Sequence, residues 1–334
     1  MKTPKYQDEF INIKSLDIIN KDKLISLKKI TEYIQSIFHD YDFASITNKK
    51  SGPILNKNYV FKPFTFNGVK FEIGDYLFSN IIMSEYIIMC EVSKFLTNTN
   101  IYCIHFTSPY SLLNIDNKYS MFMEFIHCGT LDMIGNIHLW EEFYSPELFL
   151  SIFFSIATYQ TKHIVHYDLH LRNIFYIILN EKYNPMWRGK RLLDYEYFEY
   201  RIKGVFFYIK RPKIVIKISD WGLGVKYSSP KIMSWNITDY EFDTFEYQPI
   251  YDIATIIQYM ELKLKKNNMY IKFISKIIPI IFDREPDILS STNKLYEFKN
   301  SKLTAENLIL NYKLFDKFKV QPISSSIIKV CNIN

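Results

Sequence analysis

Cysteine is scarce in this chain and carries no paired spacing. The four residues, Cys90, Cys103, Cys128 and Cys331, form no C-x-x-C and have no histidine cluster beside them. That pattern carries no zinc-site signature. It predicts a reduced protein with three thiols in apolar surroundings and Cys331 near a tail. No apolar stretch is long enough for a bilayer, since residues 148–157, the most apolar, fall well short of the roughly 20 that a spanning helix needs. The opening Met1-Lys-Thr-Pro-Lys-Tyr-Gln-Asp-Glu9 lacks the apolar core of a secretory signal, so a cytoplasmic protein without membrane attachment is expected. Clustered charge is missing too. The net charge is +6, but Lys and Arg are spread along the chain, which gives no specific nucleic-acid signal. Internal repeats and long low-complexity linkers are absent.

What is present is apolar and aromatic. Hydrophobic residues make up 48% and aromatics 17%, the composition of a globular protein. A length of 334 residues is sufficient for one large domain or two lobes. Residues 24–38 carry helical periodicity. Tyr59–Phe66, Asn67-Gly68 and Val69–Ile73 spell a β-hairpin around a favoured two-residue turn. A helix is expected over 81–96, with strands at 102–106 and 119–125. From Ser145 onward helices dominate: Ser145-Pro146-Glu147 supplies a capping hydroxyl, a proline at the first helical position and an acid in the first turn of a helix reaching Thr161. Further helices are expected over 249–264 and 303–318. The fold class is therefore α+β, β-rich first and mainly helical after.

Chemistry concentrates just beyond the join. His166-Tyr-Asp-Leu-His-Leu-Arg-Asn173 reads H-x-D-x-x-x-x-N and runs into the apolar segment Ile174–Leu179. Asp220-Trp-Gly222 ends a second apolar segment, Ile214–Ser219. Two acidic loops are thus fed or flanked by two strands, the arrangement a phosphoryl-transfer site requires. Asp168 is the candidate base, able to accept the proton of a substrate hydroxyl. Asn173 and Asp220 offer one neutral and one charged oxygen, suited to a hard cation such as Mg2+.

These motifs resemble the eukaryotic-type protein kinase superfamily over roughly residues 45–320, and within it the serine/threonine kinases of large DNA viruses. Ser145–Phe154 leading into the His166 motif, Ser84-Glu-Tyr-Ile-Ile88, and the segment 197–209 before Asp220 carry the narrower likeness. The resemblance implies a bilobal fold with ATP and Mg2+ as cofactors and a protein substrate. It divides the chain into an N-terminal helical extension (1–42), an N-lobe (43–126), a C-lobe (127–320) with a β-hairpin insert at about 180–212, and a C-terminal tail (321–334). It makes Asp168, Asn173 and His170 catalytic, with His170 either touching phosphate or simply packing the loop. His166 organises the loop, and Asp252 in Tyr251–Ile257 holds it. Glu85 is the expected partner of an ATP lysine, with Glu91 as a lesser alternative. Lys62 and Lys70 are rival choices for that lysine. Glu124 and Ile126 would meet adenine through their backbone, and Gly52 is the one glycine left where the family has a glycine-rich loop. Tyr167 stands where regulated members carry an arginine, and no Ala-Pro-Glu follows Gly222; Phe245–Pro249 takes its place. Two other readings fit parts of the pattern: a small-molecule phosphotransferase, from Asp168-Leu-His170, and a binding scaffold without catalysis, from the poor glycine loop.

Overall fold

The computed structural model describes residues 64–66, 69–75, 79–115, 118–124, 126, 128–133, 145–181, 184–228, 231–233, 247–264, 276–282 and 302–334. The chain has a mixed α+β fold. Strands β1 (Phe64–Phe66) and β2 (Val69–Asp75) pair antiparallel with Phe66 opposite Val69, so Asn67-Gly68 connects them. Helix α1 (Ser79–Thr97) follows, then β3 (Tyr102–Cys103), β4 (Pro109–Ile115) and β5 (Lys118–Glu124). The first sheet is antiparallel in the order β1-β2-β5-β4. β4 was not expected from the sequence. The expected strand at 102–106 is cut to two residues because the chain beyond it turns to a different partner: His105 O accepts from Ile218 N at 2.8 Å and Thr107 N donates to Ile218 O at 3.1 Å.

Helix α2 (Pro146–Gln160) is buried from Leu148 to its end. Ser145 caps it, its hydroxyl accepting from Leu148 N at 3.1 Å. A helix buried on every face must satisfy its own polar side chains. Ser155 and Thr158 donate back to Ser151 O and Phe154 O at 2.7 Å each, and Gln160 bonds Pro249 O and Ala305 N at 2.7 and 3.0 Å. Its aromatic flank meets Tyr200 and Phe207 through Phe154, and Phe315 through Phe153.

The remaining strands are β6 (Ile164–Val165), β7 (Ile174–Ile178), β8 (Met186–Trp187), β9 (Lys190–Arg191), β10 (Tyr197–Ile202), β11 (Val205–Lys210), β12 (Ile214–Ile218), β13 (Val225–Ser228) and β14 (Lys231–Met233). Helices α3 (Ile250–Leu264) and α4 (Ala305–Asn311) precede a final strand, β15 (Ile327–Ile333). No helix among the described residues is long and apolar enough to cross a membrane. The segment 180–212, where one β-hairpin was expected, forms two. β8–β9 turns on Arg188-Gly189 (φ 52 and 78) and β10–β11 on Lys203-Gly204 (φ 45 and 77). Positive φ at both central residues matches the right-handed strand twist, and glycine at the second position takes that conformation without steric cost. The helix expected over 303–318 is instead α4 followed by a 3-10 segment, Lys313–Phe318, because the backbone turns extended at Tyr312 (φ −90, ψ 112).

The segment expected as a tail, 321–334, is corrected most. β15 lies inside a four-stranded sheet of order β11-β10-β15-β3, parallel to β10 and antiparallel to β3. Ile328, Val330, Cys331 and Ile333 are all buried there, because an apolar strand between two neighbours loses both its faces and its edges to the protein. Cys331 is consequently a core residue. The helix expected over 24–38 lies outside the described residues.

A chain ended after Pro322 is expected to lose several kcal/mol of stability, since each buried aliphatic side chain of β15 contributes roughly 1.5–3 kcal/mol. The urea midpoint measures this; an unchanged midpoint would show that β15 adds nothing to the core.

Candidate active site

β7 and β12 pair antiparallel with Ile174 opposite Ile218. That register places Asn173, which precedes β7, beside Ser219 and Asp220, which follow β12. Ser219 N donates to Asn173 O at 3.0 Å and closes the junction. The two acidic loops foreseen as separate motifs therefore leave adjacent strand ends.

Within the first loop, Asn173 Nδ2 donates to Asp168 O at 2.8 Å and to Asp168 Oδ2 at 3.2 Å. The amide fixes the carboxylate and keeps its own oxygen turned away from it. Asp168 is half-buried and His170 buried. His170 Nε2 lies 3.6 Å from Asp168 Oδ1, beyond a hydrogen bond, and its ring sits edge-on against Tyr259 of α3 at 5.4 Å.

His166 is fully buried between the loops. Its Nε2 meets Ser219 O at 3.0 Å, and a carbonyl can only accept, so Nε2 carries the proton. Nδ1 then accepts from Asp168 N at 3.3 Å. Burial, opposed by the Ser219 bond and the Asp220 charge, pushes this imidazole down to about 4. A neutral ring with one fixed tautomer thus spans the backbone of both acidic loops.

Asp252 anchors the loop from below. It sits in the first turn of α3, where an acid complements the helix dipole. Oδ2 accepts from His166 N at 2.8 Å and Tyr159 OH at 2.7 Å; Oδ1 accepts from Tyr167 N at 2.9 Å. Two successive amides converging on one anion demand an unusual backbone, and Tyr167 has φ 60. Burial lifts the Asp252 carboxyl to about 6 despite those bonds. Asp220 also has φ 60. Such left-handed conformations cost of order 1–2 kcal/mol away from glycine and gather where side chains must be aimed.

Trp221 fills the space beneath, its ring 4.4 Å from His166 and 5.2 Å from Tyr159. Gly224 N donates to Trp221 O at 2.8 Å. A side chain at Gly224 would meet Trp221 O at 3.0 Å and Ile88 Cγ2 at 3.1 Å, so glycine lets this turn close against α1. Glu85, one helical turn before Ile88, is buried on the same side. Glu91, set aside in the sequence as a lesser partner of the ATP lysine, reaches β13 instead, where Lys226 donates to it at 2.7 Å, and Lys94 also bonds it. Burial would raise the Glu91 carboxyl, but these cations outweigh that and hold it below its ordinary value. Tyr167 OH bonds Tyr227 OH, also on β13, within an aromatic group that includes Tyr247 and Tyr251. Tyr159, Lys226, Tyr227 and Tyr259 had no signal in the sequence, since each acts through a partner 60 or more residues away.

The residues expected to meet nucleotide are described in part. Glu124 ends β5 opposite Phe71, and Ile126 is buried just beyond. The chain then passes along β7, where Tyr176 N donates to Gly129 O at 3.1 Å. Lys70 occupies β2 opposite Thr65. Lys62 and Gly52 lie outside the described residues, so the structure does not choose between the two lysines. Among the described residues no group of three or more His, Cys, Asp or Glu side chains is arranged as a metal centre. The oxygens of Asn173 and Asp220 are a different kind of donor pair, hard and sparse, which fits a Mg2+ ion that keeps substrate and water among its ligands. No protein-family model matches this chain, and no curated protein matches it either.

His105 repeats the theme of the buried neutral ring. Its Nδ1 donates to Ile216 O at 3.1 Å and its Nε2 accepts from Tyr200 OH at 2.9 Å, while burial, helped by Lys217, pushes it down to about 3. Both histidines take up protons far more readily in the unfolded chain, so their contribution is complete above about pH 6.5 and is lost as the pH falls toward 4. Each costs about 1.4 kcal/mol per pH unit over that window. Asp252, with a raised native value, works in the opposite sense and offsets one of the two between about 6 and 4. Urea midpoints near pH 7 and pH 4.5 are expected to show a net acid loss of stability, and His105→Gln to flatten it. A flat wild-type profile would contradict the buried neutral rings.

Proposed function

We propose that this chain is an ATP- and Mg2+-dependent serine/threonine protein kinase with a bilobal protein-kinase-like fold, akin to the viral kinases its motifs resemble and acting in the cytoplasm. The observation that carries the reading is the meeting of Asp168, Asn173 and Asp220 at adjacent strand ends, braced by His166 from one side and Asp252 from below. Asp168 would accept the proton of a Ser or Thr hydroxyl and orient that oxygen toward the γ-phosphate. Asn173, by fixing Oδ2, aims the carboxylate. Asn173 through its side-chain oxygen and Asp220 through its carboxylate would hold Mg2+, which when bound supplies charge neutralisation for the transferring phosphate. Glu85 with Lys62 or Lys70 would place the α- and β-phosphates, and the backbone at Glu124 and Ile126 would meet adenine. Rate enhancement would come chiefly from positioning and from charge placed in advance.

Transfer of labelled γ-phosphate from Mg-ATP to mixed protein substrates tests this. Asp168→Asn is expected to lower the rate by about 100-fold or more with an unchanged melting temperature. Wild-type protein that binds nucleotide yet labels no protein would redirect the reading to small-molecule acceptors; protein that binds no nucleotide would overturn it.

The docking of β13 through Tyr167–Tyr227 and Lys226–Glu91 uses no phosphate. Phosphatase-treated protein is therefore expected to transfer at the same rate as untreated protein. A loss of ten-fold or more on phosphatase treatment would show that a phosphorylated residue is required after all.

A further inference from the structure

β15 brings together two thiols that lie far apart in the sequence. Cys331 of β15 stands directly opposite Cys103 of β3. One step along, Ile104 N donates to Val330 O at 3.0 Å, which makes Ile104 and Val330 the hydrogen-bonded pair and leaves Cys103 and Cys331 in the closer, non-hydrogen-bonded position. Cα atoms at such positions are about 4.5 Å apart, inside the roughly 4.4–6.8 Å that a disulfide spans. Opposite residues of paired strands project to the same face. Strict alternation would point Cys331 outward beside exposed Lys329, but the pairing of β15 with β10 slips by one residue at this point, with Glu199 opposite Lys329 and Tyr200 opposite Cys331. The bulge turns both Val330 and Cys331 inward, and the two thiols are 0% and 1% exposed. Thr158 Oγ1 lies 3.6 Å from Cys331 Sγ. The other cysteines have different neighbours: Cys90 is half-buried on α1, and Cys128 accepts from Ile178 N at 3.5 Å.

We propose that Cys103 and Cys331 are a modification site, a cross-strand dithiol that closes to a disulfide by exchange with a low-molecular-weight disulfide. One cysteine thiolate attacks a sulfur of the small disulfide, forming a mixed disulfide and releasing one small thiol. The second cysteine, as thiolate, attacks the protein sulfur of that mixed disulfide and releases the second small thiol. Two protein thiols lose two protons and two electrons, and the small disulfide takes them up. Both thiols are buried, so the reduced pair is out of reach of a small disulfide until β15 opens locally. The bond would fasten the segment just beyond α1 to β15, and through β15 to β10. The site rests on strand register and does not depend on the kinase reading.

The experiment uses the full chain with glutathione disulfide in urea below the unfolding midpoint, where β15 can open. Digestion without reductant is expected to yield a Cys103–Cys331 peptide two hydrogens lighter than the sum of its parts, reversed by dithiothreitol. The oxidised protein is expected to melt several degrees higher, because the cross-link restricts the unfolded chain. Cys331→Ser is expected to show no oxidant-dependent shift. Recovery of both thiols in free form, or of glutathione or a cross-link at Cys90 or Cys128 instead, would overturn the proposal. If Cys331→Ser does not fold, the wild-type peptide map decides alone.

Discussion

A carboxylate withdrawn from water needs donors on both oxygens or it neutralises, and Asp252 finds three: two backbone amides and one phenol. Those amides belong to His166 and Tyr167, so the price of burying Asp252 is met by the loop that carries Asp168. The constraint runs in both directions. Without the anion, two amides would be orphaned in the interior; without the left-handed turn at Tyr167, the second amide would point elsewhere. Tyr159 extends the same bond into α2, and α2 is the helix around which most of the core is packed. Loop geometry is thereby tied to the main apolar core among the described residues.

A second set of interactions fixes the segment after Asp220. The aromatic group around Tyr167 and Tyr227 holds β13 against the loop that carries Asp168, and the Lys226–Glu91 pair holds it against α1. One strand is thus attached to the loop with Asp168 and to the helix with Glu85. Hydrogen bonds between phenols and a half-buried ion pair are modest individually, but they share one short strand and act together.

Where local spacing determined structure, the sequence was legible. Asn67-Gly68 specified its hairpin, Ser145-Pro146-Glu147 the start of α2, and the apolar segments before Asp220 and after Asn173 the strands that bring those residues together. What depends on distant partners was not legible. β4 begins at a proline and lacks a clean alternation, and it exists because β5 pairs with it. β15 reads as a tail because its inward pattern is broken by the bulge at Val330–Cys331, which only the register with β10 reveals. Glu91 was weighed only as a lesser partner of the expected ATP lysine, because Lys226, which it meets, is far along the chain. Tyr312 ends α4 early through its backbone conformation, although the apolar pattern continues past it.

The place of β15 between β10 and β3 bears on the order in which the molecule assembles. β10 and β11 form a local hairpin that can close within microseconds, and α2 is a local helix. The pairing of β15 with β3 joins segments more than two hundred residues apart and must await a large loop closure. Until then the inner edge of β10 is open, with Phe198, Tyr200 and Ile202 not yet covered from that side. An unfinished sheet of this kind invites a strand from another chain. Crowded synthesis of this protein thus carries a specific hazard of intermolecular pairing at β10, one that passes only when its own β15 arrives.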